Sequence, residues 1–271
     1  MHSLSRPLAA SVIAVVIGSS IPALADPLTL REVTGQLFKA EAGAKPDLSE
    51  KDLSRLDLSD LDFKQARLTG SDLYGADLSR AKLAEANLAG ARLDRALLTA
   101  TDFSGADLTG ARILRPTIFT SLEVVTAEAP RFTGAKMANV EIAGWLDRTD
   151  FRAADLSGAR FVPKSNRDSH NVITFRSSLI SCNFTDSMLR GTIFASANLS
   201  YARFANADLR EANLRGANLT RADFTGADLS GADVTGANID EADLRAARGL
   251  DTVIGLDSTE NKARALTANG P

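Results

Sequence analysis

A large apolar residue recurs at every fifth position in two long runs, with about fifteen units over 48–118 and about fourteen over 179–244. A small residue, most often alanine, usually stands two places before it, as in Ala76-Asp77-Leu78-Ser79-Arg80 and Ala227-Asp228-Leu229-Ser230-Gly231. On an α-helix five residues advance about 500°, so the leucines would spiral around the cylinder and form no stripe. In a plain strand an odd period would send successive leucines to opposite faces. The chain must therefore turn once per repeat. Gly70, Gly75, Gly90, Gly105, Gly110, Gly158, Gly216, Gly226, Gly231 and Gly236 all fall two places after the central residue, where a turn calls for positive φ. With a short extended edge in each unit, the small and central residues point inward together and the other three face out.

These A-D/N-L-x-x tandems resemble the pentapeptide-repeat proteins, and the resemblance covers residues 48–244. It implies an all-β solenoid, a right-handed quadrilateral β-helix with four units per coil, here about eight or nine coils capped at both ends by short helices. A coil of twenty residues stacks positions twenty apart. Phe184, Phe204 and Phe224 then form one inner column and Leu58, Leu78 and Leu98 another. Leu88, Phe103, Leu209 and Leu229 belong to the same expected core.

Residues 1–25 combine Arg6, an apolar stretch over 8–17 and Pro22-Ala23-Leu24-Ala25 before Asp26, the pattern of a secretory signal peptide cleaved after Ala25. The apolar run is too short for a comfortable membrane span, and the chain has no other candidate. A periplasmic or secreted mature protein is expected. It would carry 30 basic and 34 acidic residues once Arg6 is removed, a balance that by itself indicates neither nucleic acid nor a membrane surface as partner. Cys182 is the single cysteine, at an inward small-residue position, so it has no intramolecular disulfide partner and reads as a buried thiol.

The expected organisation is a signal peptide over 1–25, a capping helix within 26–45, a first repeat run over 46–120, irregular middle coils over 121–177, a second run over 178–246, and a C-terminal cap and tail over 247–271. Thr29-Leu30-Arg31-Glu32 is a capping box ahead of a helix over about 30–41, with Leu30, Val33, Leu37 and Ala40 at helical spacing. At the other end Leu250, Val253, Ile254 and Leu256 would close the core, and a short helix would run from Asp257 to about Leu266. In the middle the five-residue beat fails between Ile118 and Phe132, Ile142 and Phe151, and Phe161 and Leu179. One continuous rod with loops over 121–131, near Trp145 and over 162–171 accounts for this, and two separate rods are the second choice.

Loops on a rigid scaffold are the usual carriers of recognition. Lys164, Asn166, Arg167, Asp168 and His170 make a candidate partner-binding loop, read alternatively, and preferentially, as a solvated insertion that the rigid scaffold tolerates. Trp145, the only tryptophan, is read either as an exposed anchor or, preferentially, as a plug packed over the irregular coil. Catalytic triads need a histidine beside a nucleophile, and a mature chain would retain only His170. No P-loop, dinucleotide fingerprint or zinc-spaced cluster is present. The aspartates just before the central residues, Asp52, Asp62, Asp72 and Asp102 among them, read as turn and ladder groups, since twenty-residue columns such as Asp62-Lys82-Asp102 and Asp52-Asp72-Arg92-Arg112 allow opposite charges to pair. No metal and no cofactor are expected.

The chain therefore reads as a non-enzymatic exported scaffold or interaction module for a protein or a cell-envelope component, with oligomeric state open and an end-to-end dimer one arrangement. The alternative implied by the family is a DNA-mimicking, gyrase-binding protein. The export signal, the small net charge and the outward arginines argue against it. A third reading places an enzyme or metal site in the irregular middle.

Overall fold

The computed structural model describes residues 27–41, 43–118, 128–161 and 176–267. Each five-residue unit makes one extended bridge and one turn. The turn closes with an N–H to C=O bond from the small residue back to the preceding central residue, as from Ala76 to Leu73 at 3.1 Å. In nearly every described unit the residue two places past the central one takes φ near +60°, whether it is Gly75 (φ 65°) or Arg80 (φ 58°), Gly144 and Ala246 being exceptions, as type II turns require of their third residue. Glycine relieves that site, but the backbone ladder is strong enough to hold arginine, glutamate and asparagine in it.

Parallel bridges join residue i to i+20 in the regular runs, so four units complete a coil and every coil has four faces. The first face carries Asp52, Asp72, Arg92, Arg112, Glu141, Arg160 and Ile193. The second carries Asp57, Asp77, Leu97 and Thr117, and then Trp145, Ser178 and Asn198, with no bridge between Thr117 and Trp145 among the described residues. The third carries Asp62, Lys82, Asp102, Arg131, Asp150, Asn183 and Arg203. The fourth carries Asp47, Arg67, Asn87, Asp107, Lys136, Asp155 and Met188. One coil apart, β1 (Arg112–Leu114) and β2 (Glu141–Ala143) lengthen the first-face bridge into a short parallel pair.

The ladder continues through the irregular middle. Asp102 pairs with Arg131, Arg131 with Asp150 and Asp150 with Asn183, so nine extra residues enter one lap, one is missing from the next and thirteen enter the third. Arg131, expected in a loop, is a ladder residue. No loop stands at Trp145 either, because the unit Glu141-Ile142-Ala143-Gly144 is simply one residue short. A Cβ on Gly144 would lie 2.9 Å from Pro116 Cδ, which explains how the shortened unit fits against the coil before it.

Inside, Leu78, Leu88, Phe103, Phe184, Phe204, Leu209, Phe224 and Leu229 are all buried in one core cluster. The phenylalanine column runs further than the second repeat run. Phe103, Phe132, Phe151, Phe184, Phe204 and Phe224 stack in sequence at 4.9, 5.2, 5.0, 5.1 and 5.0 Å with planes within 8° of parallel. Each ring buries a large apolar area, and the offset stack adds to it.

Helix α1 (Leu30–Lys39) opens on the Thr29/Glu32 capping box and inserts Val33 and Leu37 into the core. It stops short of the expected end at residue 41, and Leu30 lies partly exposed. The expected C-terminal helix is absent. In its place Ile254, Glu260 and Leu266 bridge to Asp233, Asn238 and Asp243, and two single 3-10 turns fill the corners. The chain therefore makes a last lap with six residues per side, in which Gly249, Gly255 and Asn261 take the positive-φ places.

Candidate functional site

The outward aspartates are part of the scaffold. In unit after unit the carboxylate just before the central residue accepts the backbone N–H two places on, as Asp228 Oδ1 does from Ser230 N at 3.0 Å and Ser230 Oγ at 2.6 Å. Asn198 plays the same part for Ser200. Such local bonds fix the turn. Their effect on acidity is visible at Asp228, where the Ser230 bonds hold the carboxyl below its ordinary value. The Cys182 thiol is fully buried, donates to the Leu146 carbonyl at 3.0 Å and is pushed well above the ordinary thiol value by burial. That environment opposes thiolate chemistry.

Trp145 is the one expected site residue that lies among the described ones. It does not plug the irregular coil. The alternation of the ladder turns position 145 outward, and its side chain is 72% exposed on the second face. Around it the ladder row of that face is uncharged over seven successive positions, Leu97, Thr117, Trp145, Ser178, Asn198, Asn218 and Asn238, while Asp147 beside it on the face accepts Ser178 Oγ at 2.6 Å and Ile180 N–H at 2.9 Å. Both long insertions are anchored at its edges. One leaves after Ile118 and rejoins at Glu128, at the corner with the third face. The other leaves after Phe161 and rejoins at Arg176, at the corner with the first. Lys164, Asn166, Arg167, Asp168 and His170 belong to the second insertion and lie outside the described residues.

Two arginine-rich grooves border the same face. At the corner with the first face, Tyr74, Arg92, Asp94, Arg95, Arg112 and Arg115 line a space of about 330 Å³. The Arg92 guanidinium stacks over the Tyr74 ring at 4.5 Å. The Asp94 side chain is almost completely buried; it accepts Leu114 N–H at 3.1 Å and Arg92 Nε at 3.1 Å, with Arg112 Nε at 3.4 Å. Arg112 stands where other units place an aspartate or asparagine, so Leu114 lacks a cap from its own unit. Asp94, one coil earlier, supplies it. At the corner with the third face, Arg148, Asp150, Tyr201, Arg203, Arg221 and Asp223 border a groove of about 670 Å³. Burial acts to raise the Asp150 carboxyl, but the bidentate Arg152 guanidinium and the Arg152 N–H outweigh it and hold the acid below its ordinary range. Arg221 donates to Tyr201 Oη at 3.2 Å and to Glu241 at 2.5 Å.

Reasoning along the sequence singled out neither groove. The first was within reach, since Arg92 and Arg112 share a twenty-residue column. The second joins Arg148 to Ser181 and Tyr201 across the thirteen-residue insertion, where no constant spacing exists.

The sequence model of the family described as pentapeptide repeats matches residues 45–75, 76–113, 177–216 and 207–245 in eight copies. No curated protein matches the chain by sequence. Among solved structures, the chain is similar to HetL, a pentapeptide repeat protein involved in heterocyst differentiation regulation from the cyanobacterium Nostoc sp. strain PCC 7120 (25% identity, 90% of this chain and 99% of that one, TM-score 0.47). It is also similar to trypsin-treated QnrB1, a plasmid-mediated fluoroquinolone resistance protein (16% identity, 76% and 89%, TM-score 0.42). A pentapeptide repeat protein of the Arabidopsis thaliana thylakoid lumen matches at 27% identity over 48% of this chain and 83% of that one, with a TM-score of 0.26.

Proposed function

The chain belongs to the pentapeptide-repeat family, and on that footing we propose that it is an exported, non-enzymatic interaction scaffold whose second face, centred on Trp145, receives a protein partner. The observation that carries this reading is the exposed tryptophan on an uncharged stripe of a rigid face. Leaving a large indole in water forgoes roughly 1.5–3 kcal/mol of burial, and aromatic anchors of this kind are enriched at the centres of interfaces. The chain leaves and rejoins the coil at the edges of the same stripe, at Ile118, Glu128, Phe161 and Arg176. Export is supported by the leader pattern of residues 1–25, and the non-enzymatic reading by the scarcity of histidine, two in the whole sequence. Helix α1 and the C-terminal lap with six residues per side serve as the caps that a solenoid of about eight or nine coils needs at its open ends.

The test is a crosslinking pull-down from the exported fraction with the wild-type chain and a Trp145→Ala variant. A partner that is captured by wild type and lost from a variant of unchanged melting temperature supports the reading. A partner retained by Trp145→Ala moves the binding surface elsewhere. Recovery of the full-length, uncleaved chain in the cytoplasm alone would remove the export claim.

A further inference from the structure

The charges that border the second face are not distributed like those of the rest of the rod. In other rows the ladder often sets arginine against acid, as in Arg67–Asp47 at 2.6 Å and Arg131–Asp102 at 2.9 Å, and in places aspartate on aspartate, as in Asp52–Asp72 and Asp208–Asp228. Among the bridges of the described residues, only Arg92–Arg112 places a cation on a cation. Like charges directly opposite one another destabilise a sheet, and here the Asp94 carboxylate takes the Nε of both. Three guanidinium groups, those of Arg55, Arg92 and Arg95, gather within 6.0 Å of the Tyr74 ring centre. Asp72 pairs with Arg92 at 3.3 Å, and Glu141 follows Arg112 on the next coil. The groove itself is lined by four arginines (92, 95, 112 and 115) and a single acid, Asp94. At the far corner Arg203 has no ion pair among the described residues, and Arg221 crosses the Tyr201 ring at 5.7 Å.

We propose that the two grooves form one track, running diagonally across the second face past Trp145, that docks an extended acidic segment of the partner protein. This inference rests on the reading of the second face given above. Tyr74 and Tyr201 lie five coils apart, roughly 24 Å along the axis at the spacing of neighbouring strands, so at least about seven extended residues would span them. Guanidinium forks held in place by a buried carboxylate and by tyrosine rings are preorganised for carboxylates, with little side-chain freedom left to lose. A polynucleotide fits less well. Asp94, Asp150 and Asp223 interrupt both grooves and would face its continuous row of phosphates. The tyrosine faces that could stack on bases already carry Arg92 and Arg221. A peptide with spaced carboxylates avoids the interspersed aspartates.

Fluorescence anisotropy of the full chain with a labelled twelve-residue peptide of alternating Glu and Ala tests the proposal, beside a Gln-for-Glu peptide and a twelve-nucleotide oligothymidine. The Glu peptide is expected to bind and the Gln peptide not. The double variant Arg95→Gln/Arg203→Gln should weaken binding about tenfold, while Lys136→Gln on the opposite, fourth face leaves it unchanged. Affinity for the wild-type chain should fall as NaCl is raised from about 50 to 500 mM, a readout that needs no variant. Equal binding of both peptides, indifference to the double variant or to salt, or tighter binding of the oligonucleotide overturns the acidic track. A pull-down partner lost with Trp145→Ala and kept by the double variant also overturns it while leaving the second face as the binding surface. Peptide binding by the arginines with no partner lost on Trp145→Ala overturns the reading of the face instead.

Discussion

Phe103 and Phe132 stack with ring centroids 4.9 Å apart and planes 2° from parallel, although the lap that joins them is nine residues longer than a regular coil. Their contact carries the aromatic column across the first insertion. Truncating a fully buried ring leaves a cavity that rigid coils above and below cannot close. Phe132→Ala should therefore cost about 3–5 kcal/mol and abolish two stacking contacts at once. Thermal melting of the variant beside Phe103→Leu, which keeps most of the volume, checks this. Equal losses from the two would mean that the column is not a packing unit.

Ala100 N–H donates to the Glu128 carbonyl at 2.6 Å, and a regular coil would offer residue 119 in that place, as Arg80 finds Thr99. Deleting residues 119–127 would put Glu128 nineteen residues past Ala100, as Thr99 stands to Arg80, and restore constant register to Phe132. The deletion variant is expected to fold and to melt within a few degrees of the wild-type chain, since loop length enters closure entropy only logarithmically. A drop in melting temperature of more than about ten degrees, equivalent to roughly 3 kcal/mol at this size, would show that the insertion contributes packing of its own.

Gly144 and Gly90 test two different demands on glycine. A Cβ at 144 would meet the rigid ring of Pro116 at 2.9 Å, whereas a Cβ at 90 meets nothing within 4 Å but must take φ near +68°. Ala100 already occupies the equivalent turn place at φ 54°. Gly144→Ala should cost about 1–3 kcal/mol by overpacking and Gly90→Ala about 1 kcal/mol by backbone strain, measured by urea denaturation. The reverse order would mean that the short unit is not held by its fit against Pro116.

The turn aspartates set the acid limit of the fold. Asp228 is held below its ordinary value of 3.8, first by the Ser230 side-chain and backbone bonds, and Asp243 is held low in the same way by Arg245. A folded-state pKa below the unfolded one contributes stability that is complete above about pH 4 and is lost as pH falls through the folded value. The melting temperature should stay flat from pH 7 to 5 and decline below 4. At neutral pH Asp228→Asn, which keeps the Oδ1 acceptor, should be nearly neutral. Asp228→Ala should lose about 1 kcal/mol. A steep fall above pH 5 would assign the acid sensitivity to other groups.

Much of the fold is legible in the sequence because a five-residue beat leaves few ways to bury every leucine, and each unit repeats the same local chemistry. The inward positions, the turn glycines and the aspartate caps all follow from one unit and hold in every other. The ends were less legible. Residues 249–266 keep the solenoid's geometry with six residues per side, a beat that mimics helical spacing over so short a stretch. What the tertiary structure alone decided is the register through the middle and therefore the surface. Nine residues gained, one lost and thirteen gained erase any constant spacing, and only the continuous hydrogen-bonded ladder shows that Phe132 lies over Phe103 and Trp145 beside Ser178. Composition cannot say whether a lone tryptophan is buried or exposed. The skipped residue at Gly144 places Trp145 at an outward ladder position, and the same register brings Arg148 and Tyr201 to one corner. Local sequence fixes which way a unit points, but which units become neighbours across an insertion depends on contacts between laps, and the sequence does not record those as a period.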